Sequence, residues 1–159
     1  MILTKSFVPT RYQSKNTGHG YNPIFGFVGK VPFYQNEYEF LLERLPEDYQ
    51  KIKEWVEKEL MPYMTRKSIN ELHHSYGLKH VAEKQIGFYV SNGDIKLALM
   101  EEGVPFKAYY RDPYVSYPLS ERFYRDRMRR DDVDNYALLR YNNAKYAAQH
   151  ANDAKKNTK

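Results

Sequence analysis

The clearest helical signal in the sequence is the segment Pro46-Glu-Asp-Tyr-Gln-Lys-Ile-Lys-Glu-Trp-Val-Glu-Lys-Glu-Leu60. Proline suits the first turn of a helix, where its missing N–H would have no intrahelical partner, and Pro62 ends the run. The apolar side chains recur at helical spacing on one stripe, with Trp55 beside it: Tyr49, Ile52, Val56 and Leu60. We therefore predict an amphipathic scaffold helix over residues 46–60.

Shorter elements are predicted on both sides of this helix. Residues 24–31 alternate as in a strand or hairpin arm, and residues 35–45 are helical, with Asn36 as the cap. After Pro62, the patterns Ser68-Ile-Asn-Glu71 and Ser91-Asn-Gly-Asp94 begin helices that Gly87 and Gly103 end. The sequence thus predicts an α+β, helix-dominated single domain with a short N-terminal β-hairpin and a charged C-terminal helix.

Composition divides the 159 residues into four parts. We predict a flexible basic N-terminus over residues 1–20 and a globular α+β domain over residues 21–117. Residues 118–150 are predicted to form charged helices, the first of which starts at Ser120. Residues 151–159 are Ala-, Asn- and Lys-rich, which predicts a disordered tail.

Several classes of protein are disfavoured by composition. The absence of cysteine excludes disulfides, a thiolate zinc site and a cysteine nucleophile. No apolar run approaches the roughly 18 residues of a membrane span, so we expect a soluble cytoplasmic protein without membrane contact. The net charge of +5 is uneven: residues 1–35 carry four basic and no acidic residues, whereas residues 36–60 carry eight acidic and four basic ones. This asymmetry suits steering toward a charged partner.

Catalytic patterns are missing. His73 and His80 share a helix face but lie about 10 Å apart along the axis, too far to bind one metal ion. The adjacent acidic pairs diverge on a helix, and no P-loop, G-x-S-x-G or H-E-x-x-H motif occurs. Asp94-Ile-Lys96 resembles the D-x-K of metal-dependent nucleases, whose chemistry requires a strand. We expect no enzymatic activity, cofactor, metal or small-molecule ligand.

A tyrosine-rich segment has the composition of a partner-binding surface. Two prolines, Pro113 and Pro118, are expected to keep it out of regular structure. Tyrosines beside an arginine suit a protein interface or stacking on single-stranded bases, and the alternative is that these rings pack back onto the helices. The candidate residues are Tyr109, Tyr110, Arg111, Tyr114 and Tyr117.

A row of arginines is the second candidate contact surface. Arg122, Arg125 and Arg129 fall on one helix face and suit phosphates or an acidic protein patch. Glu121, four residues before Arg125, would neutralise part of this row, so a solvated helix is the alternative. A helix-turn-helix over residues 68–103 is disfavoured, because its last helix carries acidic residues. A packed three-helix unit is favoured there.

The stretches Ser75-Tyr-Gly-Leu-Lys-His80 and Gly87-Phe-Tyr-Val-Ser-Asn-Gly93, with Asp94-Ile-Lys96, resemble a block in small proteins of Gram-positive mobile elements and prophages. The block spans residues 68–103. The whole chain, by its length and absence of cysteine, also resembles type II-A anti-CRISPR proteins, which inhibit Cas9.

This resemblance implies a stoichiometric inhibitor that binds the guide-loaded Cas9 nuclease, at its HNH nuclease domain, and prevents cleavage of target DNA. The basic ends could also contact the guide RNA. These inhibitors share no binding motif, so the resemblance assigns no residue a role. The alternative is a nucleic-acid-binding accessory or regulatory protein of a mobile genetic element. A metal-dependent nuclease is the third possibility.

Overall fold

The structure is a computed structural model that describes residues 8–13, 24–109, 112–128 and 136–157. The strands in these ranges are β1 (Val8–Gln13), β2 (Ile24–Val28), β3 (Val31–Tyr34), β4 (Lys107–Tyr109) and β5 (Asp112–Ser116). The helices are α1 (Gln35–Glu43), α2 (Pro46–Trp55), α3 (Ser75–Ile86), α4 (Asn92–Glu101), α5 (Arg122–Met128) and α6 (Tyr136–Asn157). The predicted α+β, helix-dominated fold is confirmed.

The first sheet is antiparallel in the order β1-β2-β3. Strands β2 and β3 form the predicted hairpin, in which Val28 pairs with Val31 around a Gly29-Lys30 turn. Gly29 has φ 63°, a left-handed conformation that a two-residue hairpin turn requires and that glycine adopts without steric cost. Strand β1 pairs with β2 and lies within residues 1–20, where the sequence predicted a flexible terminus.

Helix α2 begins at Pro46 as predicted, and its apolar stripe is buried. It continues into a π-helical turn over Val56–Leu60 and a 3-10 turn over Met61–Tyr63. Together with α3, α4 and the segment after β5, the stripe forms the main core. Its buried members include Ile52, Trp55, Val56, Leu60, Leu78, Ala82, Ile95, Ala98, Leu99, Val115, Tyr117, Leu119 and Phe123.

Helix α4 connects the main core to a second one. The predicted helix start at Ser91 is confirmed, and it forms a capping box: Ser91 Oγ accepts the Asp94 N–H at 3.0 Å, and the Asp94 carboxylate accepts the Ser91 N–H at 2.8 Å. Leu97 faces the opposite way from Ile95 and packs in the second core, which lies under the hairpin and α1. Its other buried members are Val28, Val31, Phe33, Leu41 and Tyr49. Helix α4 is therefore buried on nearly all sides.

The predicted helix start at Ser68 is wrong, because α3 begins at Ser75. The residues of the apparent capping box are engaged in long-range contacts. The Asn70 N–H donates to the Tyr117 carbonyl at 2.9 Å, and its side-chain amide donates to the Leu119 carbonyl at 2.9 Å. Glu71 accepts from Tyr109 Oη at 3.2 Å. These contacts hold an irregular segment against the chain that follows β5.

The tyrosine-rich segment forms regular structure, contrary to expectation. Strands β4 and β5 pair antiparallel, with Lys107 opposite Ser116 and Ala108 opposite Val115.

Two further differences from the sequence-based expectation concern the C-terminal part. Leu119 and Phe123 belong to the main core, and α6 continues through Asn157, where a disordered tail was predicted. Across the described ranges, no helix is long and apolar enough to cross a membrane.

Candidate binding site

A cleft of about 440 Å³ lies between α1, α3, the start of α4 and β5. Five aromatic and five polar side chains line it. We call it the aromatic cleft and define it by Tyr34, Phe40, Tyr76, Tyr89 and Tyr114 together with Glu37, Lys79 and Asn92.

The rings of the aromatic cleft are held by other aromatic side chains. Tyr114 stacks on His74 with centroids 5.2 Å apart and lies 5.2 Å from the Tyr76 ring. Phe40 meets Tyr89 edge to face at 5.5 Å. Such contacts orient rings without burying them completely, and Tyr76 remains 41% exposed. The cleft therefore presents pre-oriented aromatic surface to solvent.

Lys96 supports the cleft from within the fold. Its side chain is fully buried, and its ammonium donates to the carbonyls of Pro32 at 2.7 Å and Pro113 at 2.8 Å. It also pairs with Glu37 at 3.2 Å and lies 4.2 Å from the centre of the Phe33 ring. One cation thus joins β3, β5, α1 and α4. A buried charge needs this set of partners to offset its lost hydration.

Arg44 and Asp94 form a second buried ion pair in which both side chains are at most 7% exposed. Arg44 Nε donates to Asp94 Oδ1 at 3.1 Å, and Arg44 also donates to the Tyr89 carbonyl at 2.8 Å. The guanidinium lies 4.7 Å from the centre of the Phe40 ring. The sequence disfavoured a DNA-facing helix in this segment. In the structure Asp94 and Lys96 are both fully buried, so α4 does not present either side chain to a partner.

Lys79 is the third internally paired cation. Its ammonium donates to Glu83 at 2.5 Å and to the Val90 carbonyl at 3.2 Å. It lies 4.8 Å from the centre of the Tyr89 ring and 5.5 Å from that of Tyr76, within the range of cation–π attraction. The charges in and beneath the aromatic cleft are thus matched inside the protein, and the rings are left as its principal contact groups.

Asn92 carries an unsatisfied acceptor in the lining of the cleft. Its side-chain amide N–H₂ donates to Glu37 at 2.9 Å and lies 3.5 Å from the Pro113 carbonyl oxygen. Reversing the amide would bring its oxygen against a carboxylate, so the network determines the orientation. Asn92 is 7% exposed, and its Oδ1 has no hydrogen-bond partner among the residues that the structure describes. An unpaired buried acceptor of this kind destabilises a protein by about 1–3 kcal/mol.

No protein-family model, curated protein or solved structure matches this chain.

The predicted tyrosines that the structure describes lie in three different environments. Tyr114 lines the aromatic cleft. Tyr109 is half-buried in the small sheet, and its hydroxyl lies 3.1 Å from Ser116 Oγ. Tyr117 is 3% exposed in the main core, where burial raises the pKa of its hydroxyl well above the usual range. Its predicted role at a partner surface is therefore wrong. Tyr110 and Arg111 lie outside the described residues.

The predicted arginine row lies apart from the aromatic cleft. Arg122 and Arg125 are exposed on α5, and Arg129 lies outside the described residues. Arg122 lines a separate polar cleft with Lys58, Glu59 and other residues. The predicted pairing of Glu121 with Arg125 is not what the structure shows. Glu121 instead accepts from the Asn70 amide at 2.8 Å and lies 3.0 Å from His73. These two contacts hold the pKa of the Glu121 carboxyl below its usual range.

Tyr124, beside this cluster, provides a prediction on pH dependence. Burial, with a smaller contribution from Glu121, raises the pKa of Tyr124 to about 12. In the unfolded chain the phenol loses its proton near pH 10, so above that pH the unfolded state binds fewer protons and stability falls as pH rises to about 12. Tyr124→Phe is expected to lose less stability over this interval. Urea titrations at several pH values would measure the slope, and an unchanged slope would contradict the assignment.

Sequence reasoning missed most of the aromatic cleft. Tyr76, Lys79, Tyr89 and Asn92 all lie in the block that carries the resemblance, yet none was selected as a site residue. One signal was present: the run of residues 92–96 places three polar side chains in the first turns of a helix that is apolar over the residues that follow. In the described part of the chain, no group of three or more His, Asp or Glu side chains could hold a metal ion.

Proposed function

We propose that this protein is a non-catalytic inhibitor that binds guide-loaded type II-A Cas9 in stoichiometric amount, with the aromatic cleft in its contact surface. The observation that supports binding is the convergence of five aromatic side chains around a cleft whose charged groups are already paired. Clustered tyrosines are typical of the few residues that dominate affinity in protein interfaces.

The electrostatics of the aromatic cleft favour a protein partner over a nucleic acid. Binding to a phosphate backbone relies on lysine and arginine side chains that can leave water for phosphate oxygens. Among the described residues, the cations in and beneath this cleft are Arg44, Lys79 and Lys96, which already hold carboxylates and carbonyls inside the fold. Using any of them for phosphate would break a buried pair.

The partner and the stage of inhibition follow from the resemblance to type II-A anti-CRISPR proteins. Docking of the HNH domain on the target strand is a step separate from DNA binding. A protein that held this domain would block cleavage while the guide-loaded nuclease still bound its target. We place this action in the bacterial cytoplasm, where Cas9 operates.

A cleavage assay beside a gel-shift assay tests this function. Guide-loaded type II-A Cas9 is incubated with the protein at ratios from below to above one to one. We expect cutting to stop near equimolar protein while the gel shift of target DNA is retained. Loss of both activities would overturn the HNH assignment in favour of blocked DNA entry. Normal cutting by several type II-A orthologues at excess protein would overturn the proposed function.

Binding to nucleic acid is the second candidate, favoured by the exposed Arg122 and Arg125 and by the net charge of +5. The two candidates differ in their response to salt. Affinity that depends on several phosphate contacts falls steeply between 50 and 200 mM salt, by about a thousandfold or more for six contacts. The affinity of a protein interface centred on tyrosines falls much less over the same salt range.

A further inference from the structure

We infer that the aromatic cleft receives a ring-bearing side chain with an N–H or O–H donor, a tryptophan or tyrosine of the partner protein, whose donor binds Asn92 Oδ1. The inference rests on the proposed function and specifies the contact at its centre. The ring of this anchor lies among Tyr76, Tyr89 and Tyr114. Its donor satisfies the acceptor that the free protein leaves unpaired.

Asn92 specifies the polar part of the ligand. Its amide N–H₂ is engaged by Glu37, so the side chain offers only an acceptor, and a matching group has to be a donor. The oxygen has almost no exposed surface in the free protein. A donor therefore reaches it only when the side chains around Asn92 shift as the ligand enters.

Lys79 excludes a cationic ligand. Aromatic walls and a nearby carboxylate often bind ammonium groups, but here the Lys79 ammonium already lies over the rings of Tyr76 and Tyr89. A second cation would be repelled by the first. An anion is disfavoured as well, because Glu37 lies in the lining beside Asn92. Tryptophan and tyrosine combine a large neutral ring with a donor, whereas histidine is partly cationic near neutral pH.

The direct test uses the full chain and two small probes, N-acetyltryptophanamide and its analogue methylated on the indole nitrogen. The two compounds share the same ring, but the analogue has no N–H to donate. Each is titrated into ¹⁵N-labelled protein, and the shifts of the cleft resonances are followed by NMR. We expect the methylated probe to bind about tenfold more weakly, the value of one hydrogen bond to an otherwise unpaired acceptor.

Equal binding of the two probes would overturn the assignment of Asn92 as the acceptor. Absence of shifts at the cleft with either probe would overturn the whole inference. Shifts confined to another part of the protein would do the same.

A matched pair of variants tests whether the probe and the partner protein use the same site. Tyr76→Ala removes a wall of the aromatic cleft, and Tyr146→Ala removes a tyrosine of nearly equal exposure, 41% against 40%. Tyr146 contacts Phe40 and Tyr89 but lines the neighbouring cleft. We expect Tyr76→Ala to bind the tryptophan probe about threefold to tenfold more weakly, which is the contribution of one ring contact. Tyr146→Ala should bind the probe with the affinity of the wild type. Equal losses in the two variants would contradict the inference.

Failure of this inference is distinguishable from failure of the proposed function. If the probe binds the cleft but no Cas9 is inhibited, the site stands and the partner is wrong. If Cas9 is inhibited equally by wild type and Tyr76→Ala, the partner stands and the cleft is not its anchor site.

Discussion

Replacing Lys96 with methionine is expected to lower the free energy of unfolding by about 3–5 kcal/mol. Methionine retains most of the apolar volume, so the loss is due to the charge. Without the ammonium, the buried carbonyls of Pro32 and Pro113 lose their donor and Glu37 loses its cation. Urea unfolding followed by the fluorescence of Trp55, the single tryptophan, would measure the change.

The matched control is Lys53→Met, which removes a lysine of α2 paired with Glu101 at 2.9 Å. Both side chains of that pair are nearly one-third exposed, so we expect a loss of at most about 1 kcal/mol. In the double variant Lys96→Met/Glu37→Gln, the two losses should not add, because each residue is destabilised by the absence of the other. If Lys96→Met were no more destabilising than Lys53→Met, the role of Lys96 as the link between the two sheets would be wrong.

Phe123→Ala should destabilise the protein by about 3–5 kcal/mol, the range for removing a buried aromatic ring. Phe123 is fully buried, and its ring meets those of Trp55 at 6.3 Å and Tyr63 at 5.6 Å, edge to face in both cases. The sequence predicted a charged helix here, separate from the globular domain. In the structure this side chain anchors α5 in the main core, where Tyr124 packs beside it and Tyr63 donates to Asp126 at 2.7 Å.

Leu72→Ala is the control for this prediction, since Leu72 is 81% exposed and its removal should change stability by no more than about 0.5 kcal/mol. Unfolding is followed here by far-UV circular dichroism, because Phe123 contacts the fluorescent Trp55. A loss for Phe123→Ala as small as that of the control would mean that α5 is an appendage after all.

Local patterns allowed several elements to be predicted. Pro46 and the apolar stripe behind it predicted α2, and Ser91 with Asp94 predicted the start of α4. Gly87 and Gly103 were predicted to end α3 and α4, and both have positive φ in the structure. In each case the interactions that define the element lie within a few residues along the chain, so the sequence contains the whole signal.

Elements that depend on distant partners were missed. Asn70 resembles part of a local cap, but its hydrogen bonds go to Tyr117 and Leu119, about fifty residues away. The pairing of β4 with β5 places Pro113 in a strand and directs its carbonyl to Lys96. The residue pattern within the segments around Asn70 and Pro113 does not indicate such distant contacts. The same limitation applied to Asp94 and Lys96, whose burial depends on partners supplied by α1, β3 and β5.

The aromatic cleft is a product of the same long-range contacts. Of the tyrosines selected from the sequence, Tyr114 lines the cleft, while Tyr117, just after the end of β5, is buried in the main core. Phe40, Tyr76 and Tyr89 come from three separate segments that only the tertiary fold brings together. A binding surface of this kind has no sequence motif, because its members are unrelated in spacing.

The most direct test of the central claim is site-specific photo-crosslinking to guide-loaded type II-A Cas9. A photoreactive phenylalanine derivative replaces Tyr76 in one variant and Tyr146 in another, and each is irradiated with the complex. We expect an efficient crosslink from position 76, which maps to the HNH domain, and little from position 146. A crosslink from position 146 alone, or from neither position, would contradict the assignment of the aromatic cleft as the site that binds this partner.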